Sequence, residues 1–132
     1  MPKGYISSET TVHYMGYHFV WCPKYRRKVL VGEIEKRANE LVNEKVVELG
    51  CKVTALEVMP DHVHLFVQAN PQLSPNKIIG QIKGYTSRKL REEFKELRTR
   101  LPTLWTRSYF VSTHRHVSDS VIQKYIEEQK GK

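Results

Sequence analysis

Two segments of alternating residues on either side of Pro60-Asp61 constrain the fold of this chain more than any other feature. Residues 51–59 read CKVTALEVM and residues 62–69 read HVHLFVQA. Strand side chains alternate between the two faces of a sheet with a period of two, and a proline followed by an aspartate is typical of a turn. The two segments therefore predict a β-hairpin of antiparallel strands.

Two further strands are predicted from composition. Residues 11–21 are rich in β-branched and aromatic side chains, and this segment closes at Cys22-Pro23, where proline cannot donate to a strand ladder. Residues 105–113 read WTRSYFVST and have a similar composition. One strand therefore precedes the hairpin in sequence and one follows it.

Three helices are predicted from the spacing of apolar residues and from end signals. The first ends at Gly50, and its apolar residues are Ile34, Ala38, Leu41, Val42, Val46 and Leu49. The second begins at Ser74-Pro75, where the serine can cap the helix and the proline suits its first turn, and it runs to about residue 98. Ser118-Asp119 caps the last helix.

The order of these elements is β, α, β, β, α, β and a third helix, which is the split βαβ arrangement of ferredoxin-like folds. We therefore predict an α+β protein with one antiparallel sheet, helices on one face of it and a C-terminal helix. The 132 residues suit a single domain over residues 1–132. Because this fold serves many functions, the function has to be sought in side chains on the other face of the sheet.

The chain is strongly basic, with 22 lysines and arginines against 14 aspartates and glutamates and a net charge of +8. Such an excess favours an anionic partner such as nucleic acid. No segment is typical of a signal peptide or a membrane-spanning helix, so we expect a cytoplasmic protein with no membrane partner and no nucleotide cofactor. Cys22 and Cys51 are isolated in sequence, which predicts reduced packing residues.

His62 and His64 are predicted to lie side by side on the polar face of the second hairpin strand, because the apolar residues that alternate with them face the core. Two imidazoles so placed can reach one metal ion. Two histidines at this spacing in a strand are also often no more than ordinary polar surface residues. Asp61 just before them adds a carboxylate, and such a mixed set of nitrogen and oxygen ligands suits a divalent ion.

Tyr125 and Gln129 are spaced i, i+4 and therefore project from one side of the last helix. One interpretation is structural, since Tyr125 is the largest residue of an apolar stripe that includes Val121, Ile122 and Ile126. The other is functional, since the glutamine amide oxygen could complete a metal's coordination beside the phenol. The spacing alone does not separate the two.

The His62-Val63-His64 triplet matches the histidine, hydrophobic, histidine motif of HUH endonucleases, and Lys124-Tyr125-Ile126 with Gln129 resembles their single-tyrosine nucleophile helix. Further stretches match in the family's order, and the match covers most of the chain. They are HFVWCPKYRRKVL at 18–30, EVMPDHVHLFV at 57–67, KGYTSRKLR at 83–91 and LWTRSYFVST at 104–113. The chain thus resembles the small single-tyrosine HUH transposases of IS200 type insertion sequences.

This resemblance implies a mechanism. The phenol of Tyr125 attacks a phosphodiester in single-stranded DNA and gives a 5′-phosphotyrosine and a free 3′-hydroxyl. His62 and His64 hold Mg²⁺ or Mn²⁺, with Gln129 as the third ligand, and Asp61 joins or replaces it when the helix is displaced. The resemblance also implies a homodimer, in which the histidines of one subunit face the tyrosine helix of the other, and a substrate with DNA hairpins at its ends.

Basic residues are candidates for contacts with the DNA backbone, although a solvated charged face explains any one of them equally well. The candidates are Arg26, Arg27, Lys28, Lys83, Arg88, Lys89 and Arg91. The segment before the last helix departs from the family, because residues 113–117 read THRHV where the family often has a glycine that lets the helix move. His114 and His116 form a second His-x-His there, which we interpret as a loop and a possible DNA contact.

Two other functions are compatible with this element order. An RNA-binding module of the RRM type shares the order and the basic charge, but its third strand should carry a pattern of aromatic residues that HVHLFVQA lacks. A relative that binds hairpin DNA without catalysis is the other alternative. All the residues quoted for catalysis are present, which favours an active enzyme.

Overall fold

The computed structural model describes residues 6–7, 12–13, 15–113 and 119–132, which form a four-stranded sheet with helices on both faces and a separate small hairpin. The strands are β1 (Ile6–Ser7), β2 (Val12–His13), β3 (Gly16–Trp21), β4 (Lys52–Met59), β5 (His62–Gln68) and β6 (Phe110–Ser112). The helices are α1 (Gly32–Glu48), α2 (Pro75–Glu93), α3 (Lys95–Thr99) and α4 (Asp119–Glu128). A short 3₁₀ turn, Lys24–Arg26, follows β3.

The main sheet has the spatial order β4-β5-β3-β6, and all neighbouring strands are antiparallel. With α1 between β3 and β4 and α2 between β5 and β6, the sequence order is βαββαβ. This confirms the predicted ferredoxin-like arrangement. The predicted hairpin is also confirmed, with β4 and β5 joined by a turn at Pro60-Asp61.

One face of the sheet holds the main core. Phe19 and Trp21 of β3 and Val63 and Leu65 of β5 are fully or almost fully buried, and residues of α1 and α2 pack against them. The apolar positions of α1 and α2 recur at helical spacing, so each helix presents one stripe to the sheet. Ser74 caps α2 as predicted, because its hydroxyl accepts a hydrogen bond from the Lys77 amide at 3.1 Å.

The opposite face of β3 carries a smaller apolar cluster. Val20 and Cys22 alternate with the core residues of β3 and pack against Ile126 of α4. Phe110, Ile122 and Tyr125 are partly buried around them. The C-terminal helix therefore covers the β3 and β6 side of this second face. Both cysteines are buried thiols, as predicted.

Three predicted boundaries were wrong. The first strand begins at Gly16, because Val12–His13 pairs with Ile6–Ser7 in the separate hairpin. The second helix ends at Glu93, since Phe94 adopts an extended backbone that directs its ring to the core, and α3 follows. The last strand is only Phe110–Ser112, because the carbonyls of residues 106–108 accept hydrogen bonds from a lysine instead of a strand.

The predicted Ser118 cap, the linker residues 114–117 and the second His-x-His at His114 and His116 lie outside the described residues. No helix in the described part of the chain is both long and apolar enough to cross a membrane.

Candidate active site

His62 and His64 lie on the second face of the sheet, as the alternation in β5 predicted. Their ring centroids are 4.9 Å apart and the ring planes are nearly perpendicular, at 81°. Both side chains are partly exposed, whereas Val63 and Leu65 are buried on the other face. The two imidazoles are therefore close enough to bind one ion.

Asp61 supports His62 from the turn that precedes β5. The Nδ1–H of His62 donates to Asp61 Oδ1 at 2.8 Å, and Arg26 Nε lies 3.4 Å from the other carboxylate oxygen. A carboxylate in this position fixes the tautomer and the orientation of an imidazole, so that Nε2 is the nitrogen through which His62 could bind a ligand. Asp61 and Arg26, both predicted site residues, are thus joined at one edge of the histidine pair.

His18 is a third histidine of the site, which the sequence did not indicate. Its Nε2 lies 3.2 Å from Nδ1 of His64, and its ring stacks on Phe66 with a centroid distance of 3.9 Å. Burial, together with the nearby His64, lowers the pKa of His18 to about 4, so its ring is neutral at pH 7. A neutral buried ring bonded to Nδ1 of His64 fixes the orientation of that imidazole.

The donor set on β5 fits a divalent ion in part. Two imidazoles, each held through Nδ1 by a neighbouring side chain, are the arrangement found around protein-bound metals. In the described part of the chain no three histidine, cysteine, aspartate or glutamate side chains cluster as a metal site. A metal ion bound here would therefore take its further ligands from elsewhere, such as an amide oxygen, a phosphate or water.

Tyr125 and Gln129 meet at a serine that the sequence analysis did not single out. Ser108 donates to Gln129 Oε1 at 2.9 Å, and the Tyr125 hydroxyl lies 3.0 Å from the same serine oxygen. The serine has one proton, which it gives to the amide, so the phenol donates to the serine. Gln129 is 4% exposed, and its Nε2 donates to the Tyr125 carbonyl at 3.0 Å.

The histidine pair and the tyrosine helix share a face of the sheet but lie at different strands. Val20 of β3 pairs with His64 on one side and with Phe110 on the other, and the Tyr125 ring packs 6.0 Å from that of Phe110. Two strand spacings separate the backbones of His64 and Phe110 by about 10 Å. Tyr125 and Gln129 are thus brought together, as are Asp61, His62 and His64, and strand β3 lies between the strand of the histidines and the strand of Phe110.

The phenol of Tyr125 is held in its protonated form. Burial raises its pKa to about 12, against the opposing effect of the hydrogen bond with Ser108. Very little phenolate is present at neutral pH in this environment. A reaction that used this oxygen as a nucleophile would need a proton acceptor or a change of surroundings.

Comparison with known proteins identifies the family. The model of the IS200-like transposases matches residues 11–129 of this chain. The chain belongs to the IS200-like transposase family. As a transposase it is a DNA-processing enzyme.

Two relatives that are named as transposases are similar to this chain. The ISDra2 transposase TnpA of Deinococcus radiodurans is 37% identical over 123 residues, which cover 92% of this transposase and 88% of the relative. The transposase of insertion sequence element IS200 from Salmonella typhimurium is 30% identical over 115 residues, which cover 86% of this chain and 75% of the relative.

Solved structures show the same fold. A crystal structure from Deinococcus radiodurans R1, described as a transposase, superposes with a TM-score of 0.88 at 33% identity and covers 96% of this transposase and 99% of that chain. The structure of a REP-associated tyrosine transposase bound to a REP hairpin has a TM-score of 0.57 at 15% identity. The match covers 89% of this chain and 68% of that chain. At that identity the second likeness concerns the fold alone.

The predicted DNA contacts of the transposase fall in two places. Arg26, Arg27 and Lys28 lie in and after the 3₁₀ turn, next to Asp61. The other four lie on α2, which packs on the core face of the sheet; they are Lys83, Arg88, Lys89 and Arg91. Those on α2 therefore do not share the face of the histidine pair.

Lys83, one of the candidate DNA contacts, is half-buried and bonded to backbone carbonyls. Its Nζ donates to the carbonyls of Thr106, Arg107 and Ser108 at 2.7, 3.3 and 3.1 Å, and burial lowers its pKa to about 8. The ammonium group therefore holds the segment that carries Ser108. A signal was available in the sequence, because Lys83 lies one turn from the buried Ile79 on the same side of the helix.

Lys83→Met in the transposase is expected to lower the free energy of unfolding by about 1–3 kcal/mol, because backbone acceptors lose their donor. Urea unfolding of the variant against the unmodified protein measures this loss. Lys89→Met on the same helix is the matched control and should change the free energy by less than about 0.5 kcal/mol. An unchanged unfolding midpoint in Lys83→Met would contradict the structural role.

Proposed function

We propose that this transposase cleaves and rejoins single-stranded DNA at insertion-sequence ends through a 5′-phosphotyrosine on Tyr125. The observation that carries the proposal is the arrangement of the second sheet face. The Tyr125 phenol on α4, which is hydrogen-bonded to Ser108, and the histidine pair on β5 occupy the same side of one sheet. Family membership in the IS200-like transposases supports the same chemistry.

In the cleavage step the phenol oxygen of Tyr125 forms a bond to phosphorus, and the bond from phosphorus to the 3′-oxygen breaks. The phenol proton leaves to solvent or to a base, and the departing 3′-oxygen gains a proton. A phenol is a better leaving group than an alkyl alcohol, so the phosphotyrosine keeps the strand reactive for rejoining. Attack by a free 3′-hydroxyl reverses the step without ATP.

His62 and His64 are the residues that would hold Mg²⁺ or Mn²⁺, and a divalent ion there supplies stabilisation of the charge that develops on the scissile phosphate. Asp61 and His18 orient the two imidazoles through their Nδ1 atoms. Gln129 is the proposed further ligand, and its amide oxygen accepts a hydrogen bond from Ser108 in this structure. Asp61 is the alternative ligand when α4 is displaced.

The separation of the two groups within one chain favours a homodimer. Tyr125 packs over β6 and β3, whereas the histidine pair lies on β5, whose backbone is about 10 Å from that of β6. A movement of α4, or the tyrosine helix of a second copy, would bring the phenol to the histidine pair. The second copy is our proposal, and single-stranded DNA with hairpin ends is the proposed substrate.

The proposal is tested by incubating the protein with labelled single-stranded DNA from the flanks of its gene. In Mg²⁺ or Mn²⁺ we expect an adduct that survives denaturation, and in EDTA we expect none. A protein that bound the hairpin in either metal without forming an adduct would instead be a catalytically silent hairpin-binding relative. Preference for structured RNA of the same sequence would favour the RNA-binding alternative.

His18→Phe is expected to weaken Mn²⁺ binding by about 10 to 100-fold, because it keeps a ring against Phe66 but removes the nitrogen that orients His64. Mn²⁺ titration followed by electron paramagnetic resonance measures the affinity without any DNA. Phe66→Leu is the control, since it changes the stacking partner and leaves the nitrogen in place. Equal Mn²⁺ affinity in His18→Phe and the unmodified protein would exclude this positioning role.

A further inference from the structure

A basic groove lies beside the candidate active site. It has a volume of about 670 Å³, and its walls are Tyr25, Arg26, Arg27 and Lys28 on one side and Lys130 and Gly131 on the other. Four of these six residues carry a positive charge at neutral pH, so the groove suits an anionic chain. We call these six residues the basic groove.

The groove connects the two halves of the site. At one wall Arg26 contacts Asp61, which in turn holds His62. At the other wall Lys130 follows directly after Gln129, just beyond the end of the helix that carries Tyr125. A ligand that fills the groove would therefore contact Arg26, the partner of Asp61, at one wall and Lys130, the neighbour of Gln129, at the other.

Tyr25 gives the groove an exposed aromatic surface. Its side chain is 40% exposed, and its backbone has φ 60° and ψ 16°, in the left-handed region that non-glycine residues rarely adopt. Arg26 follows with φ 52°. The flanking hydrogen bonds hold this turn, with the Lys24 amide donating to the Leu104 carbonyl and the Arg26 amide to the Pro23 carbonyl, both at 2.8 Å. Strained backbone that is fixed in this way is common at ligand sites.

We propose that the basic groove binds the unpaired strand that leads to the scissile phosphate. One base stacks on Tyr25, and the phosphates lie along Arg27, Lys28 and Lys130. An aromatic platform among cations is the recognition mode of single strands, because paired bases in a duplex do not expose their faces. Arg26 is already paired with Asp61 and serves to join the groove to the histidine pair. The inference rests on the proposed function and names the path of its substrate.

Stacking is tested with a labelled oligothymidylate of 12 nucleotides, using the Tyr125→Phe protein in EDTA so that no cleavage occurs. Fluorescence anisotropy measures the affinity. We expect Tyr25→Ala to bind about tenfold more weakly and Tyr25→Phe, the matched control, to bind within about twofold of the parent. Equal affinity of Tyr25→Ala and its parent would overturn the stacking role.

The phosphate contacts are tested by the salt dependence of the same binding. Arg27→Gln and Lys28→Gln should each lower the slope of log affinity against log salt by about 0.7, the value for one phosphate contact of a single strand. Lys36→Gln removes an equal charge from the exposed side of α1, outside the groove, and should leave the slope unchanged. An equal fall in slope for Lys36→Gln would show that charge anywhere on the surface accounts for binding, and would overturn the groove.

Crosslinking of the unmodified protein gives a second measurement that does not depend on how the variants fold. An oligothymidylate with 4-thiothymidine is irradiated and the crosslinked peptides are identified by mass spectrometry. Crosslinks to residues 24–28 support the groove, and crosslinks confined to other peptides overturn it. These measurements need no covalent adduct. If the protein binds DNA in the groove but forms no adduct, only the proposed cleavage function is overturned. If the protein forms the adduct but the groove variants bind DNA as tightly as their parent, only the groove proposal is overturned.

Discussion

Tyr125→Phe is expected to abolish the covalent adduct with single-stranded DNA and to lower the cleavage rate by at least about 10⁴-fold. The variant lacks only the hydroxyl that would attack phosphorus, and its ring can still pack against Phe110. Hairpin binding should therefore remain within about twofold of the unmodified protein. Denaturing electrophoresis of the labelled DNA measures the adduct, and anisotropy measures the binding.

Tyr109→Phe is the matched control for this prediction. Tyr109 lies outside the site. Its hydroxyl donates to Asn76 Oδ1 at 3.0 Å, and its ring packs edge-on against Phe19 on the core side. The control should form the adduct at the normal rate. A stable adduct in the Tyr125→Phe protein, mapped to another residue, would remove Tyr125 as the nucleophile.

His64→Ala is expected to reduce cleavage to the level that the unmodified protein shows in EDTA, a loss of at least about 100-fold. The change removes an imidazole that would hold the divalent ion, and in the variant the addition of Mg²⁺ or Mn²⁺ should therefore make no difference. His62→Ala should behave in the same way. Cleavage assays with each metal and with EDTA give the comparison.

The fold of these histidine variants has to be checked separately, because His64 also contacts the buried His18. Thermal unfolding and hairpin binding in EDTA should both stay close to those of the unmodified protein. If His62→Ala and His64→Ala both cleaved at the normal rate in Mg²⁺, the histidine pair would have no role in catalysis and the metal site would have to be sought elsewhere.

The features that the sequence predicted well are those set by local patterns. The alternation around Pro60-Asp61 predicted both the β4–β5 hairpin and the face on which His62 and His64 lie, because a strand has only two faces. Helical spacing predicted which sides of α1 and α2 are buried. Helical spacing also predicted the helix that carries Tyr125. The catalytic role of Tyr125, which the family resemblance implies, stays a prediction.

The features that were missed depend on which segments become neighbours. His18 joins the site only because β3 pairs with β5 in a register that places Phe66 opposite it, and no local pattern specifies that pairing. Ser108 was assigned to a strand, whereas the half-buried Lys83 donates to the carbonyls of its segment, and Ser108 bonds to Gln129 at the end of α4. Phe94 interrupts the second helix through its contact with the core. These three outcomes were decided by tertiary packing.

The serine hydroxyl between α4 and the sheet has one more consequence. Because a single oxygen is bonded to both the phenol and the glutamine amide, a displacement of α4 that separates Ser108 from Tyr125 also separates it from Gln129. The proposed nucleophile and the proposed metal ligand would therefore be released in the same event. If α4 moves away and returns as one unit, each chain that frees its Tyr125 hydroxyl also frees its Gln129 amide oxygen.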